Sequence, residues 1–284
     1  VNVWSLGSGS RGNGLVIASG DRAILVDCGF GPRALALRLK RLGLAPEMIA
    51  ALVLTHEHQD HADGAARAQH KWRWPVYASA GTHRGVADIP GKMRQVIAAG
   101  GAVSVAGFTL EAVAIPHDAA EPLALAVTDE ASGARVGVAH DLGAVPAALE
   151  RLFARCDALL LEANHDVDLL RRGPYPPSLQ ARIRGGRGHL NNDEAAALAV
   201  RLAHPGLQAL ALLHLSEANN TPAEAAQCVN RALAAAGVAV RAHPAAGRTP
   251  DALVALGPRP GPLRSASAAP PARVAAATQL TLAL

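Results

Sequence analysis

The residues best placed to do chemistry lie in one run, His56-Glu57-His58-Gln59-Asp60-His61. Three imidazoles and the Asp60 carboxylate within six residues are donors that Zn²⁺ and Mn²⁺ take. In a chain leaving a strand, His56 and His58 can point to one side and share an ion, while Asp60 and His61, at the next bend, can reach a second. A solvated polar loop does not call for ligands at this density, so the run points to a metal-dependent hydrolase. Two pairs of donors cannot fill two coordination shells, and more ligands are expected after later strands. His117 follows Val113-Ala114-Ile115-Pro116, Asp141 follows Val136-Gly137-Val138-Ala139-His140, and His214 follows Leu210-Ala211-Leu212-Leu213. Their shared position after apolar runs makes these three the candidates.

The elements that must position these groups are short. β-type runs are predicted at residues 1–6, 15–18, 23–26, 51–54, 76–78, 109–115, 123–128, 135–139, 158–161 and 209–213. Helices are predicted at residues 32–42, 146–153 and 194–203. Thr221-Pro222-Ala223-Glu224 joins an N-cap threonine, a proline at the first helical position and a capping-box glutamate, so a further helix should run towards Ala236. This is an α/β or α+β pattern.

Half of the 284 residues are apolar, enough for a sizeable core. Residues 1–245 read as one catalytic domain. From 246 to 278 the composition turns to Ala, Pro, Gly, Ser and Arg, which predicts a disordered tail, and residues 279–284 regain apolar character. The first residues alternate like a strand and carry no basic leader, so no secretory signal is expected. No apolar run reaches the ~20 residues of a membrane span. Cys28, Cys156 and Cys228 are widely spaced and odd in number, which suits a reducing, cytoplasmic setting. Cys28 is expected in the core. The net charge is +4, with arginines clustered at Arg171-Arg172 and at Arg182, Arg184 and Arg187. Guanidinium forks match phosphate oxygens, although such clusters also occur on solvated surfaces.

Thr55-His56-Glu57-His58-Gln59-Asp60-His61 resembles the THxHxDH signature of the metallo-β-lactamase fold, and the series His117, Asp141, His214 resembles its later metal motifs. The resemblance implies a four-layer αββα sandwich. It also implies that His56, His58 and His117 hold one divalent metal and Asp60, His61 and His214 the other, with Asp141 bridging them. A water or hydroxide between the ions would be the nucleophile, since two cations lower its pKa and offset charge on the attacked group. Asp27, in Ile24-Leu25-Val26-Asp27-Cys28-Gly29, resembles a family carboxylate that orients a ligand histidine from beneath the site. It reads equally as a turn aspartate before glycine.

Finer motifs look like the YycJ/WalJ-type branch of that fold. They are residues 5–14 (Ser-Leu-Gly-Ser-Gly-Ser-Arg-Gly-Asn-Gly), Ile115-Pro116-His117-Asp118-Ala119, His140-Asp141-Leu142-Gly143, Glu162-Ala163-Asn164-His165-Asp166, Gly188-His189-Leu190-Asn191-Asn192 and His214-Leu215-Ser216-Glu217-Ala218-Asn219-Asn220. The resemblance covers most of residues 1 to about 245 and implies exonuclease action on DNA linked to repair or replication. His140 stands where threonine is usual, and Asn191 where serine is commoner. Neither removes a proposed ligand.

Glu162 and His189 also resemble a glutamate and histidine of the fold's tRNA-processing phosphodiesterases, where the pair assists proton transfer to the leaving oxygen. An imidazolium oriented by a carboxylate can supply the proton that an alkoxide needs on leaving a phosphodiester. Glu162 and His189, with Asp60, are therefore the candidate catalytic residues. Arg182, Arg184 and Arg187 adjoin His189 in sequence and are expected to face the same cleft and bind substrate phosphate. The glycine-rich residues 7–14 could present N–H groups to phosphate or form a hairpin turn. His165 reads as a substrate contact or a capped turn, and His70, His83, His204 and His243 have no motif context. Aromatic residues are few; Trp72, Trp74 and Tyr77 are the candidates for stacking, so duplex backbone contact is the more natural expectation.

Gln279-Leu280-Thr281-Leu282-Ala283-Leu284 resembles the bacterial sliding-clamp-binding hexapeptide, with Gln279, Leu280, Leu282 and Leu284 as its anchors. A terminal strand is the other reading. Two further functions stay open: hydrolysis of a small ester, thioester or lactam, and a non-catalytic metal-bound module recruited by the clamp. The partners expected are DNA and the clamp, without a membrane.

Overall fold

In the computed structural model, which describes residues 1–257, the elements form two facing sheets. The first contains β1 (Asn2–Gly7), β2 (Gly14–Ser19), β3 (Arg22–Val26), β4 (Ile49–Val53), β5 (Val76–Ala78) and β6 (Arg94–Val96). The second contains β7 (Ala102–Val105), β8 (Phe108–Ala114), β9 (Leu123–Asp129), β10 (Arg135–Ala139), β11 (Ala158–Glu162), β12 (Ala209–Leu213) and β13 (Ala242–Pro244). A last strand, β14 (Asp251–Ala255), returns to the first sheet and pairs with β1. The strand orders are β14-β1-β2-β3-β4-β5-β6 and β13-β12-β11-β10-β9-β8-β7.

Alternation decides what each face buries. Val3, Ile17, Ile24 and Val53 from one sheet meet Leu110, Leu125, Val138 and Leu160 from the other in the central core. The opposite faces also read apolar, because helices cover them. Helices α1 (Pro32–Arg41), α2 (Gln59–Ala62), α3 (Ala65–Trp72) and α4 (Ala80–Gly85) follow strands of the first sheet, and α1 and α3 pack Leu35, Leu39, Ala65 and Ala68 against Leu25 and Leu52. Helices α5 (Ala147–Phe153), α6 (Val167–Arg172), α7 (Pro177–Arg184), α8 (Asn192–Leu202) and α9 (Pro222–Ala235) accompany the second. There Phe153, Leu198 and Leu233 pack with Leu159 and Leu212; each such fully buried side chain contributes roughly 1.5–3 kcal/mol. The layers are therefore αββα. At α9, Thr221 Oγ1 accepts the Glu224 N–H at 3.1 Å, as its motif predicts.

Strand direction is what gathers the site. In the first sheet β3, β4, β5 and β6 run parallel. In the second, β10 to β13 run parallel, and two antiparallel steps through β9 turn β8 the same way. Parallel neighbours place successive strand ends on one rim. The segments after β3, β4, β8, β10, β11 and β12 all carry candidate site residues.

The ordered domain extends past residue 245, against the sequence expectation of a tail from 246. Val254 and Leu256 are buried in the central core, and the Leu256 N–H donates to the Val1 carbonyl at 2.7 Å. Ala252-Leu253-Val254-Ala255-Leu256 is a short apolar run that covers the open edge of β1. The Gln279, Leu280, Leu282 and Leu284 anchors lie outside the described residues. Cys28 and Cys156 are buried, and Cys28, Cys156 and Cys228 form no disulfide. Among the described residues no helix is long and apolar enough to cross a membrane.

Candidate metal centre

His56, His58, His117 and Asp141 each offer a ligand atom, all within 4.8 Å of one another, and Asp60, His61, Asp141 and His214 form a second such group. The two groups share Asp141 and no other member. Asp141 Oδ2 lies 3.1 Å from His56 Nε2 and 2.9 Å from His61 Nε2, so one carboxylate oxygen faces both groups. Asp60 Oδ2 stands 3.2 Å from His214 Nε2 and 3.4 Å from His61 Nε2.

The residues fit divalent cations. His117 Nε2 faces His58 Nδ1 at 3.2 Å, two imidazole nitrogens directed at each other, which a shared cation would satisfy through both lone pairs. His56 Nε2 and Asp141 Oδ1 are buried, and their near polar neighbours are other members of the two groups: Asp141 Oδ2 for His56 and, at 2.7 Å, His214 Nδ1 for Asp141 Oδ1. Burial pushes the His56 pKa down to about 4, with the neighbouring His61 acting in the same sense, leaving a neutral imidazole ready to ligate. Burial opposes charge on Asp141, but the His214 and His61 imidazoles hold its pKa well below the usual carboxylate range.

Backbone strain helps to aim these groups. Asp27, Asp141 and His214 have φ of 63°, 47° and 54°, left-handed conformations uncommon outside glycine. Each follows the end of a strand, turning its side chain towards the rim. A Cβ at Gly29 would collide with the Asp60 carbonyl, so only glycine allows the segment after β3 to lie against the ligand loop.

Asp27 lies beneath the centre. Its Oδ2 accepts from His61 Nδ1 at 2.7 Å, and its Oδ1 accepts the Thr55 N–H at 2.8 Å. Burial would raise its pKa, but the His61 imidazole outweighs that and lowers it. Three neighbours go unmarked in the sequence analysis as orienting groups. Asn13 Nδ2 donates to Asp60 Oδ2 at 3.0 Å, Ser8 Oγ accepts the His214 N–H at 2.7 Å, and Asn164 Nδ2 donates to the His214 carbonyl at 2.9 Å. Ser8 and Asn13 belong to the 7–14 segment, which is the hairpin turn between β1 and β2. Its signals were the glycine pattern and the likeness of residues 5–14 to a family motif, and neither reveals which polar neighbour reaches the site.

Glu162, at the end of β11, is fully buried. Its Oε1 accepts from His189 Nδ1 at 2.7 Å and lies 3.2 Å from His214 Nδ1. Its Oε2 accepts the N–H groups of Leu142 and Leu190 at 2.7 and 3.1 Å. Burial disfavours charge on both partners, yet the His189 imidazolium lowers the Glu162 pKa and the Glu162 carboxylate raises that of His189. His189 lines the cleft over the donor groups together with His58, Asp60 and His214. An acid at that position can deliver a proton to a group bound there.

Two of the three arginines depart from expectation. Of the three, Arg182 lines the cleft, but Asp118 Oδ2 already accepts from its Nε at 2.6 Å. Arg184, two residues on in the same helix, lies about 200° around the axis and does not line the cleft. Arg187 Nε donates to the His117 carbonyl at 3.0 Å instead of facing the cleft. Trp74 is buried and stacks on Trp72 at 4.8 Å, while Tyr77 packs against the central core. The aromatic residue at the cleft is Tyr175, missed because nothing local to it marks that position. His165 and His140 are buried, each with both ring nitrogens unpartnered among the described residues. His140 stands beside Asp27 and His61, where burial pushes its pKa down to about 4.

The family model of a beta-lactamase superfamily domain matches residues 22–215. The chain is 30% identical over 83% of its length to an exodeoxyribonuclease YycJ of Bacillus anthracis, covering 90% of that protein. It is 28% identical over 76% of its length to an exodeoxyribonuclease WalJ of Streptococcus pneumoniae, covering 81%. Among solved structures, a metallo-beta-lactamase fold protein, YhfI from Bacillus subtilis, superposes with a TM-score of 0.67 at 19% identity, over 88% of this chain and 98% of that one. With the family model, the YycJ identity and the αββα layers in agreement, the chain belongs to the beta-lactamase superfamily, as a metal-dependent hydrolase of the metallo-β-lactamase fold and the YycJ/WalJ type.

Proposed function

We propose that this hydrolase is a two-metal phosphodiesterase acting on DNA as an exonuclease, in the cytoplasm and in the service of repair or replication. The observation that carries the reading is the Glu162–His189 pair, 2.7 Å apart, beside two donor groups that share Asp141. A purely structural metal site has no use for a buried carboxylate holding a protonated imidazole over the cleft. The exodeoxyribonuclease names of the relatives support the same substrate class.

In this reading His56, His58 and His117 would hold one ion and Asp60, His61 and His214 the other, with Asp141 available to both. Zn²⁺ or Mn²⁺ there would supply an activated water and offset charge on the attacked phosphate. Asp27 fixes the tautomer and orientation of His61 through Nδ1, leaving Nε2 for ligation. Asn13 holds the Asp60 carboxylate, which thus acts both as ligand and as a group facing the substrate. Glu162 keeps the proton on His189 Nδ1, so Nε2 is the nitrogen that protonates the departing sugar oxygen. The clamp-like residues 279–284 would tether the enzyme to replicating DNA, and a peptide of residues 275–284 should then compete for the clamp pocket.

The test is incubation of metal-loaded protein with end-labelled single-stranded DNA, duplex DNA and RNA, in Zn²⁺ and in Mn²⁺. Progressive shortening of DNA, abolished by chelator, is expected, with binding that weakens steeply as salt rises. Turnover of small esters or lactams with no cleavage of any nucleic acid would instead assign the site to the small-molecule hydrolases of the fold.

A further inference from the structure

Helix α7 contributes no residue to a core. Its apolar side chains have a different neighbour. Leu179 and Ile183, four residues apart and so on one face, line the cleft, and Tyr175, just before the N-cap, adds its ring to the same wall. The same cleft is lined by His58, Asp60, His117 and His189, and by Arg182 of α7 itself. The cleft thus joins carboxylates and imidazoles with an apolar stripe carried by one helix.

This wall is latched in place. Arg182 makes two bonds to Asp118 Oδ2, from Nε at 2.6 Å and from Nη2 at 2.5 Å. Just beyond the helix, Arg187 Nε donates to the His117 carbonyl, and His117 Nδ1 donates to the Gly188 carbonyl at 3.1 Å. The segment carrying the apolar wall is therefore tied to the loop carrying a proposed metal ligand. A half-buried apolar stripe set against carboxylates and imidazoles gains nothing from them. It matches a ligand with a flat apolar face joined to an anion, both parts held within one cleft.

We infer that Tyr175, Leu179 and Ile183 form the seat for the nucleobase of the nucleotide whose phosphate lies at the metal centre. The inference rests on the phosphodiesterase reading and deepens it, by naming the unit recognised as a mononucleotide and not the phosphate backbone alone. Every base has a π-face, so a seat of this kind tolerates all four bases.

The experiment is calorimetric titration of metal-loaded full-length protein with deoxynucleoside 5′-monophosphates and with 2-deoxyribose 5-phosphate, for the wild type and for the Tyr175→Ala/Leu179→Ala variant. The wild type should bind each nucleotide at least tenfold tighter than the sugar phosphate. In the variant all ligands should bind at the wild type's sugar-phosphate affinity, with an unchanged melting temperature, because α7 buries nothing in a core. Equal wild-type affinities, a preference that survives in the variant, or no binding of either ligand would overturn the inference. A wild type that shows the preference and loses it in the variant, yet cuts no DNA, would uphold the nucleobase seat and overturn the DNA reading.

Discussion

Glu162 Oε1 accepts a hydrogen bond from His189 Nδ1 at 2.7 Å, while Oε2 of the same carboxylate takes the N–H groups of Leu142 and Leu190. One buried side chain thereby ties the segments after β10, β11 and before α8 to a single point. The group on the cleft and the scaffold beneath it are therefore separable by substitution.

Replacing His189 by alanine removes the proposed proton donor but no proposed ligand. The variant should retain two metal ions per chain by elemental analysis, while kcat on DNA falls by about 10²–10⁴-fold. An unchanged rate would remove His189 from the mechanism.

Glu162→Ala should behave differently, since it leaves the buried Leu142 and Leu190 N–H groups without an acceptor. Each such loss costs about 1–3 kcal/mol, so this variant should lose both activity and thermal stability. Glu162→Gln retains an acceptor and should recover most of the stability without the rate. Melting curves and turnover, measured on the same preparations, separate the two effects.

Asp27 tests the support beneath the ions. Asparagine tolerates its left-handed backbone, so Asp27→Asn isolates the loss of charge at His61. Affinity for one ion, the one assigned to Asp60, His61 and His214, should drop by about 10–100-fold, with the other site unaffected. Competition titration with a chromogenic chelator reads both affinities; two equal losses, or none, would contradict the assignment.

The donor groups were legible in the sequence because each follows an apolar run, and a strand that ends in a ligand points that ligand at the rim. His56 to His61, His117, Asp141 and His214 all obey this rule, and Glu162 and His189 came with their motifs. Asn13, Ser8 and Asn164 did not stand out, since an asparagine or serine in a turn has several local uses and only the tertiary fold shows which one operates. Arg182 reaches the cleft as expected, but Arg184 and Arg187 were misplaced for a related reason: neighbours in sequence, Arg182 and Arg184 point to different sides of α7. Composition also misled. Leu253, Val254 and Leu256 are embedded among residues that read as tail, and the pairing that orders them is with β1, some 250 residues earlier.

The central claim is that two ions, joined through Asp141, are needed for phosphodiester cleavage. It is tested most directly by adding Mn²⁺ or Zn²⁺ stepwise to chelator-stripped protein while following both bound metal and cleavage of end-labelled DNA. Negligible cleavage is expected at one ion per chain, and full activity as the second binds. Full activity with a single ion, or cleavage in the stripped protein, would contradict it.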